Sequence, residues 1–192
     1  MAGPDINSIL GGFVDRGIWY YWDTATVAQA ASTGTNIQFF ALPISPTKSK
    51  LLTNMTLGNQ FPPPRCLILD NIGFYFSSTM LKADIDLFID NCYIEFRIDD
   101  KIYFEGHMWR YASGYGLVGT STKTNESAWN VGKADIGSVL RFGNFAKYIA
   151  PQQLFSMNLI FPTAQTMTTT ANGGVGARIV CCLQGLTDRS VQ

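Results

Sequence analysis

The chain has 192 residues with 14 basic and 14 acidic side chains, so its formal net charge at neutral pH is zero. Only 15% of the residues are charged, compared with about 25% in ordinary soluble domains. This balance argues against a nucleic-acid coat, because neutralising phosphates requires clustered Lys and Arg, and it favours a surface that is buried against neighbouring molecules.

The first predicted strand covers residues 17–22 and is almost wholly aromatic. Its four rings belong to Trp19, Tyr20, Tyr21 and Trp22. Neighbouring side chains on a strand point to opposite faces, so these rings cannot all pack in one core. Some of them are therefore expected to meet another sheet, another subunit or a ligand.

Two further strands are predicted on either side of a long polar stretch. The second strand covers residues 36–42, and a surface loop covers residues 47–60. The prolines at 62–64 predict an extended polyproline segment. The third strand covers residues 66–76, and the polar pair at 70–71 predicts a bulge within it.

A single helix is predicted near residues 80–91, capped by one of the hydroxyl side chains Ser77, Ser78 and Thr79. Apolar residues recur along it at helical spacing, and charged residues occupy the other side, which is expected to face solvent. The apolar positions are Leu81, Ile85, Phe88 and Ile89, and the charged positions are Lys82, Asp84, Asp86 and Asp90.

The clearest hairpin follows the helix. Residues 93–98 and 101–106 alternate around a turn at Asp99 and Asp100, and the second of these strands is expected to continue to residue 111. Later strands are predicted at residues 128–131, 138–142, 154–161 and 177–186.

About eight to ten strands, one inserted helix and long loops predict an all-β fold, a jelly-roll β-sandwich. We expect an N-terminal arm over residues 1–16, the jelly-roll domain over residues 17–187 and a C-terminal tail over residues 188–192. The four cysteines lie in apolar strand-like runs without zinc-site spacing, which predicts free buried thiols. Cys181 and Cys182 are neighbours on a strand and are expected to point to opposite faces.

Motifs that resemble chemical sites have stronger structural interpretations. Residues 114–119 match the spacing GxGxxG, but the polar residues after them form a poor helix for binding a dinucleotide. The acidic residues between Asp84 and Glu95 partly match a calcium loop, but Phe88 and Ile89 stand where a ligand and a glycine belong. A solvated helix face explains these acids, and we predict no metal site and no cofactor.

His107 and a pair of glutamates are the remaining catalytic candidates. A single His without a placed Ser or Cys gives no triad. Glu95 and Glu105 are expected to face each other across the hairpin, which is compatible with glycoside hydrolysis, but cross-strand pairing with Arg97 and Lys101 explains them without catalysis. The sequence therefore predicts that the protein is not an enzyme, and no catalytic residue is assigned.

Aromatic residues near loops are the candidates for an interface or for stacking on a glycan. They are Trp19, Tyr20, Tyr21, Trp22, Trp109, Tyr111, Tyr115 and Trp129. Core packing is expected to account for at least half of them.

The pattern of residues 66–76, the helix, the hairpin over residues 93–106 and the final strand pair resembles the single jelly-roll coat and decoration proteins of icosahedral viruses, particularly bacteriophages. The resemblance implies a structural subunit of the virion that binds copies of itself, as a symmetric homo-oligomer, and other virion proteins.

The N-terminus lacks the features of a signal peptide, and no stretch reaches the roughly 20 apolar residues of a membrane span. Assembly in the host cytoplasm, without secretion, is therefore expected.

A carbohydrate-binding or receptor-binding β-sandwich module remains the alternative function, with the aromatic loop residues stacking on sugar rings.

Overall fold

The structure, a computed structural model, describes residues 14–77, 80–110, 140–142, 146–168 and 177–190. These residues form an all-β sandwich of two antiparallel sheets with one helix, which confirms the prediction at that level. In chain order the elements are β1 (Val14–Val27), β2 (Asn36–Phe39), β3 (Leu67–Phe76), α1 (Lys82–Asn91), β4 (Tyr93–Ile98), β5 (Lys101–His107), β6 (Leu140–Arg141), β7 (Lys147–Ile149), β8 (Phe155–Ile160) and β9 (Ala177–Ser190). The strand predicted at residues 128–131 lies outside the described residues.

The two sheets contain strands from distant parts of the chain. The first sheet has the order β1-β9-β3, with β6 and β7 both paired to the far edge of β3. The second sheet has the order β2-β8-β4-β5. The predicted hairpin forms β4 and β5, and the predicted bulge in β3 is present as a register shift between Leu69 and Asn71.

A core rich in phenylalanine fills the space between the sheets. Side chains alternate along each strand, so that every second residue points inward. The ring of Phe61, from the segment between β2 and β3, packs between Tyr21 and Phe155, with centroid distances of 4.5 and 4.9 Å. The helix covers one end of this core, where Phe88 contacts Phe76 and Phe161.

Strand β1 is longer than predicted at both ends. It pairs with β9 from Val14 to Val27, opposite Ser190 to Ala177. Both strands therefore run into the segments predicted as an arm and a tail. Pairing with a distant strand extends β1 beyond the local aromatic run that the sequence makes visible.

Three local predictions are wrong. The segment at residues 62–64 is a turn and not an extended polyproline segment. It has a cis peptide bond between Pro63 and Pro64 and a hydrogen bond from the Arg65 N–H to the Pro62 carbonyl. Residues 108–110 form a short 3-10 turn instead of continuing β5. The loop predicted over residues 47–60 does not lie entirely on the surface, because Thr53 and Met55 are buried.

The helix is confirmed, but two details of its prediction are wrong. Its N-cap is Leu81, with no side-chain capping bond, whereas Ser77 precedes that position, and Ser78 and Thr79 lie outside the described residues. Asp84 does not face solvent: it is buried and accepts hydrogen bonds from the N–H and hydroxyl of Thr168, at 2.9 and 3.1 Å. The segment after β8 therefore packs against the side of the helix that the periodicity predicted to face solvent.

Strands β3 and β9 approach so closely at Gly185 that no side chain fits there. A Cβ atom at this position would lie 1.9 Å from the carbonyl oxygen of Ile68, a backbone atom that cannot rotate away. We expect Gly185→Ala to lower the free energy of unfolding by about 1–3 kcal/mol, because the strands must separate. Urea denaturation measures the change.

Gly17→Ala is the matched control, since Gly17 lies on the neighbouring strand β1 and a Cβ there would meet nothing within 4 Å. Its effect should stay within about 0.5 kcal/mol. Equal stability of both variants would contradict the close approach of β3 and β9.

Candidate interaction surface

The outer face of the first sheet is apolar, which is unusual for the solvent side of an antiparallel sheet. The strand register aligns outward-pointing side chains into rows that cross the sheet. The first row consists of Ile18, Leu186, Ile68 and Tyr148, from β1, β9, β3 and β7. Ile18 is 72% exposed, Leu186 42% and Tyr148 40%, so this row forms an apolar ridge on the surface.

A groove lies beside the ridge, further along the same face. It has a volume of about 510 Å³ and is lined by Tyr20, Trp22, Tyr75, Val180, Cys182 and Gln184. Tyr20 and Trp22 come from β1 and Tyr75 from β3, so they flank the side chains of the central strand β9. Gly73 pairs with Cys182 and contributes no side chain to this part of the face.

The ridge and the groove together form one surface, which we call the apolar face. Its rows from β1, β9 and β3 are Ile18/Leu186/Ile68, Tyr20/Gln184/Asn71, Trp22/Cys182/Gly73 and Thr24/Val180/Tyr75. None of these side chains is charged, but the half-buried Asp70 lies in the β3 bulge between the first two rows, and Arg141 of β6 pairs with Asn71. An exposed apolar patch of this kind marks a surface that binds a protein or another apolar partner.

The predicted aromatic residues divide between the core, the apolar face and other parts of the chain. Tyr20 and Trp22 lie together on the apolar face, with ring centroids 5.4 Å apart, and Trp19 stacks on Tyr20 at 6.3 Å. Tyr21 is buried in the core and is not available to a partner. Trp109 is 62% exposed but lies in the turn after β5, in the other sheet.

The other predicted aromatic residues, Tyr111, Tyr115 and Trp129, lie outside the described residues. Sequence reasoning missed Ile18, Ile68, Tyr75, Tyr148, Val180 and Leu186. One signal pointed to some of them: residues 179–183 are apolar without alternation, which indicates a strand with apolar side chains on both faces.

The outer face of the second sheet is polar and contrasts with the apolar face, although Glu95 and Asn158 on its two middle strands are buried. One row across it consists of Gln38, Asn158, Glu95 and Glu105, so the predicted opposition of Glu95 and Glu105 is confirmed. Arg97 donates two hydrogen bonds to the Glu95 carboxylate, at 2.6 and 2.9 Å, and these bonds raise the pKa of Arg97. The ion pair runs along β4, and not across the hairpin as predicted.

This polar face carries no arrangement that indicates catalysis. His107 is exposed at the end of β5, where it borders a shallow pocket with Tyr93, Glu105 and Gly106. Among the residues that the structure describes, no three His, Cys, Asp or Glu side chains gather as metal ligands. Asp84, the first acid of the partial calcium motif, is engaged by Thr168 instead.

The free edge of β1 is held in place by the segment between β2 and β3. The side-chain amide of Asn54 donates to the Tyr20 carbonyl and its oxygen accepts from the Trp22 N–H, at 3.0 and 2.9 Å. Asp23, buried beneath this edge, accepts a hydrogen bond from the Phe40 N–H and lies 2.6 Å from Lys48 Nζ. These contacts fix the strand that carries Ile18, Tyr20 and Trp22.

None of the four cysteines forms a disulfide, as predicted. Cys66, Cys92 and Cys181 are also buried as predicted, whereas Cys182 is half-buried and lines the groove. Cys181 lies in the core, which confirms that the two neighbours face opposite sides. Burial raises the pKa of the Cys182 thiol from 9.0 to about 12. Cys182 is therefore a protonated thiol at neutral pH.

We expect Cys182 in the folded protein to react with iodoacetamide at pH 8 at least about 10-fold more slowly than in the unfolded chain. The thiolate is the nucleophile, and its fraction falls as the pKa rises, although a more basic thiolate regains part of the rate. The rate should increase with pH up to about 12. Mass spectrometry of Cys182 measures it, and an equal rate in the folded and unfolded chain would contradict this environment.

The chain matches no protein-family model, no curated protein and no solved structure. Within the described residues, no helix has the length and apolar character needed to cross a membrane.

Proposed function

We propose that this protein is a non-enzymatic structural subunit that assembles into the shell of a virion, as a major capsid protein or as a minor or decoration protein. The proposal rests on the exposed apolar side chains of the apolar face. A face with Ile18 and Leu186 exposed to water is unfavourable in an isolated subunit, whereas burial against a neighbour stabilises the assembly by about 25 cal/mol for each Å² of apolar surface.

We also propose that the sandwich is a jelly roll, the architecture of many capsid proteins. A jelly roll is a folded antiparallel ribbon in which the first strand pairs with the last, and each inner strand pairs with its counterpart. Here β1 pairs with β9, β2 with β8, β3 with β6 and β7, and β4 with β5. Counting β6 and β7 as one interrupted edge strand gives eight strands in this nested order, which supports the proposal.

The difference between the two outer faces supports an assembling subunit. The second sheet presents Gln38, Glu105 and the guanidinium of Arg97 to solvent, while Glu95 and Asn158 between them are buried. The first sheet presents aliphatic and aromatic side chains. A subunit of a wall needs such an asymmetry, because one surface contacts neighbours while another remains hydrated.

A carbohydrate-binding module is the alternative, since Tyr20, Trp22 and Tyr75 provide rings for stacking. Sugar binding does not explain the aliphatic ridge formed by Ile18, Ile68 and Leu186, because a glycan needs hydrogen-bonding groups around its stacking platform. The ridge therefore favours a protein partner over a glycan.

Light scattering combined with negative-stain imaging of the purified protein tests the proposal. Closed particles would identify a shell protein, and discrete symmetric oligomers a decoration or vertex protein. A monomer at every concentration that binds a glycan array and loses that binding in Trp22→Ala would overturn the proposal in favour of the alternative.

A further inference from the structure

We propose that the partner of the apolar face is a second copy of the same chain, packed face to face with its strands antiparallel to those of the first. The inference rests on the proposed function, because it names the neighbour that the assembling surface binds.

The apolar face is complementary to itself. The ridge at Ile18 and Leu186 and the groove at Trp22 and Cys182 are four residues apart along β1 and β9, which corresponds to about 14 Å. The row of Tyr20 and Gln184 lies midway between them. A two-fold axis along this middle row exchanges ridge and groove, so that the ridge of each copy enters the groove of the other.

The charge distribution also favours a second copy. A surface that meets its own copy across a two-fold axis brings like charges together near that axis, at a cost in binding free energy. The four rows contributed by β1, β9 and β3 contain no charged side chain. The exception near the axis is the half-buried Asp70, in the β3 bulge next to Asn71. On the polar face of the second sheet, the exposed carboxylate of Glu105 would meet its own counterpart across such an axis.

The area is sufficient for an interface that is repeated in a larger assembly. The rows from residue 18 to residue 24 extend about 20 Å along β1, β9 and β3 and about 15 Å across them, and β6 and β7 flank β3 only in the first two rows. Each copy therefore contributes about 300 Å² in projection, and more when the relief of the protruding rings is counted. The total of about 600 Å² in projection is below the roughly 1,000 Å² of a specific interface between two isolated proteins. The contact is therefore expected to be weak by itself and to be strengthened by repetition in a closed assembly.

Thiol cross-linking tests this arrangement, because Gln184 lies on the proposed axis and faces its own counterpart in the second copy. Packed sheets lie about 10 Å apart, within the reach of a short bis-maleimide. The double variant Cys182→Ala/Gln184→Cys is expected to form a covalent dimer in high yield. The matched control is Cys182→Ala/Gln38→Cys, because Gln38 is exposed on the polar face, and it should give no more dimer than Cys182→Ala alone.

A mixture of Ile18→Cys and Trp22→Cys chains, both carrying Cys182→Ala, provides a second measurement if Gln184→Cys itself disturbs the contact. The axis places Ile18 of one copy over Trp22 of the other, so the mixture should give more covalent dimer than either variant alone. An assembly without either cross-link would overturn the face-to-face arrangement and leave the proposed function standing. A protein that is monomeric at every concentration would overturn both.

Discussion

Replacement of Ile18 by lysine is expected to convert the assembled protein into a folded monomer. In the isolated subunit the new ammonium group stays in water, because Ile18 is 72% exposed. In the assembly the same group would be buried against an apolar neighbour, with no described charge in the rows of the apolar face to pair with it. We expect a loss of at least about 2 kcal/mol per contact, or roughly 30-fold in affinity.

Light scattering after size exclusion measures the loss of assembly, and urea denaturation shows whether the fold remains. The free energy of unfolding of the Ile18→Lys monomer should equal that of the dissociated wild-type subunit within about 0.5 kcal/mol. Gln38→Lys places the same charge on the exposed polar face and should assemble normally. Normal assembly of Ile18→Lys would exclude the apolar face as the contact surface.

Replacement of Asp23 by alanine is expected to cause the largest loss of stability, about 3–5 kcal/mol. Asp23 is buried on β1, where one carboxylate oxygen accepts a hydrogen bond of 2.6 Å from the Phe40 N–H. The other oxygen lies 2.6 Å from Lys48 Nζ, in an ion pair without hydrogen-bond alignment. Removing the carboxylate leaves a mostly buried ammonium and a buried N–H without their partner.

Asp86→Ala is the matched control, because it removes an ion pair with Lys82 on the surface of α1. Such a pair, one helical turn apart, contributes about 0.3–0.5 kcal/mol. Urea denaturation of both variants compares the two ion pairs. A loss at Asp23 as small as that at Asp86 would show that the ion pair with Lys48 does not hold the segment between β2 and β3 against β1.

Local sequence patterns predicted the hairpin and the helix because neighbouring residues determine both. Residues 93–106 alternate around a two-residue turn, and residues 80–91 repeat at helical spacing, so neither prediction needed knowledge of distant contacts. The position of Asp84 shows where this reasoning fails. Periodicity placed its carboxylate in water, but Thr168, far away in the sequence, covers it.

The apolar face could be predicted only in part. The aromatic run on β1 indicated that some rings must leave the core, and Tyr20 and Trp22 do so. The ridge, in contrast, exists only because Ile18, Leu186 and Ile68 come into register on three strands that are distant in the chain. The residue pattern of one segment cannot predict that register, because the register depends on how distant strands pair.

Hydroxyl-radical footprinting of the native assembly tests the central claim, that a neighbouring molecule covers the outer face of the first sheet. Oxidation of Tyr20, Trp22 and Leu186 is compared with the same residues in the Ile18→Lys monomer, and His107 on the second sheet serves as the internal reference. We predict protection of the first three side chains in the assembly and unchanged oxidation of His107. Equal oxidation of Tyr20, Trp22 and Leu186 in the two samples would contradict the account.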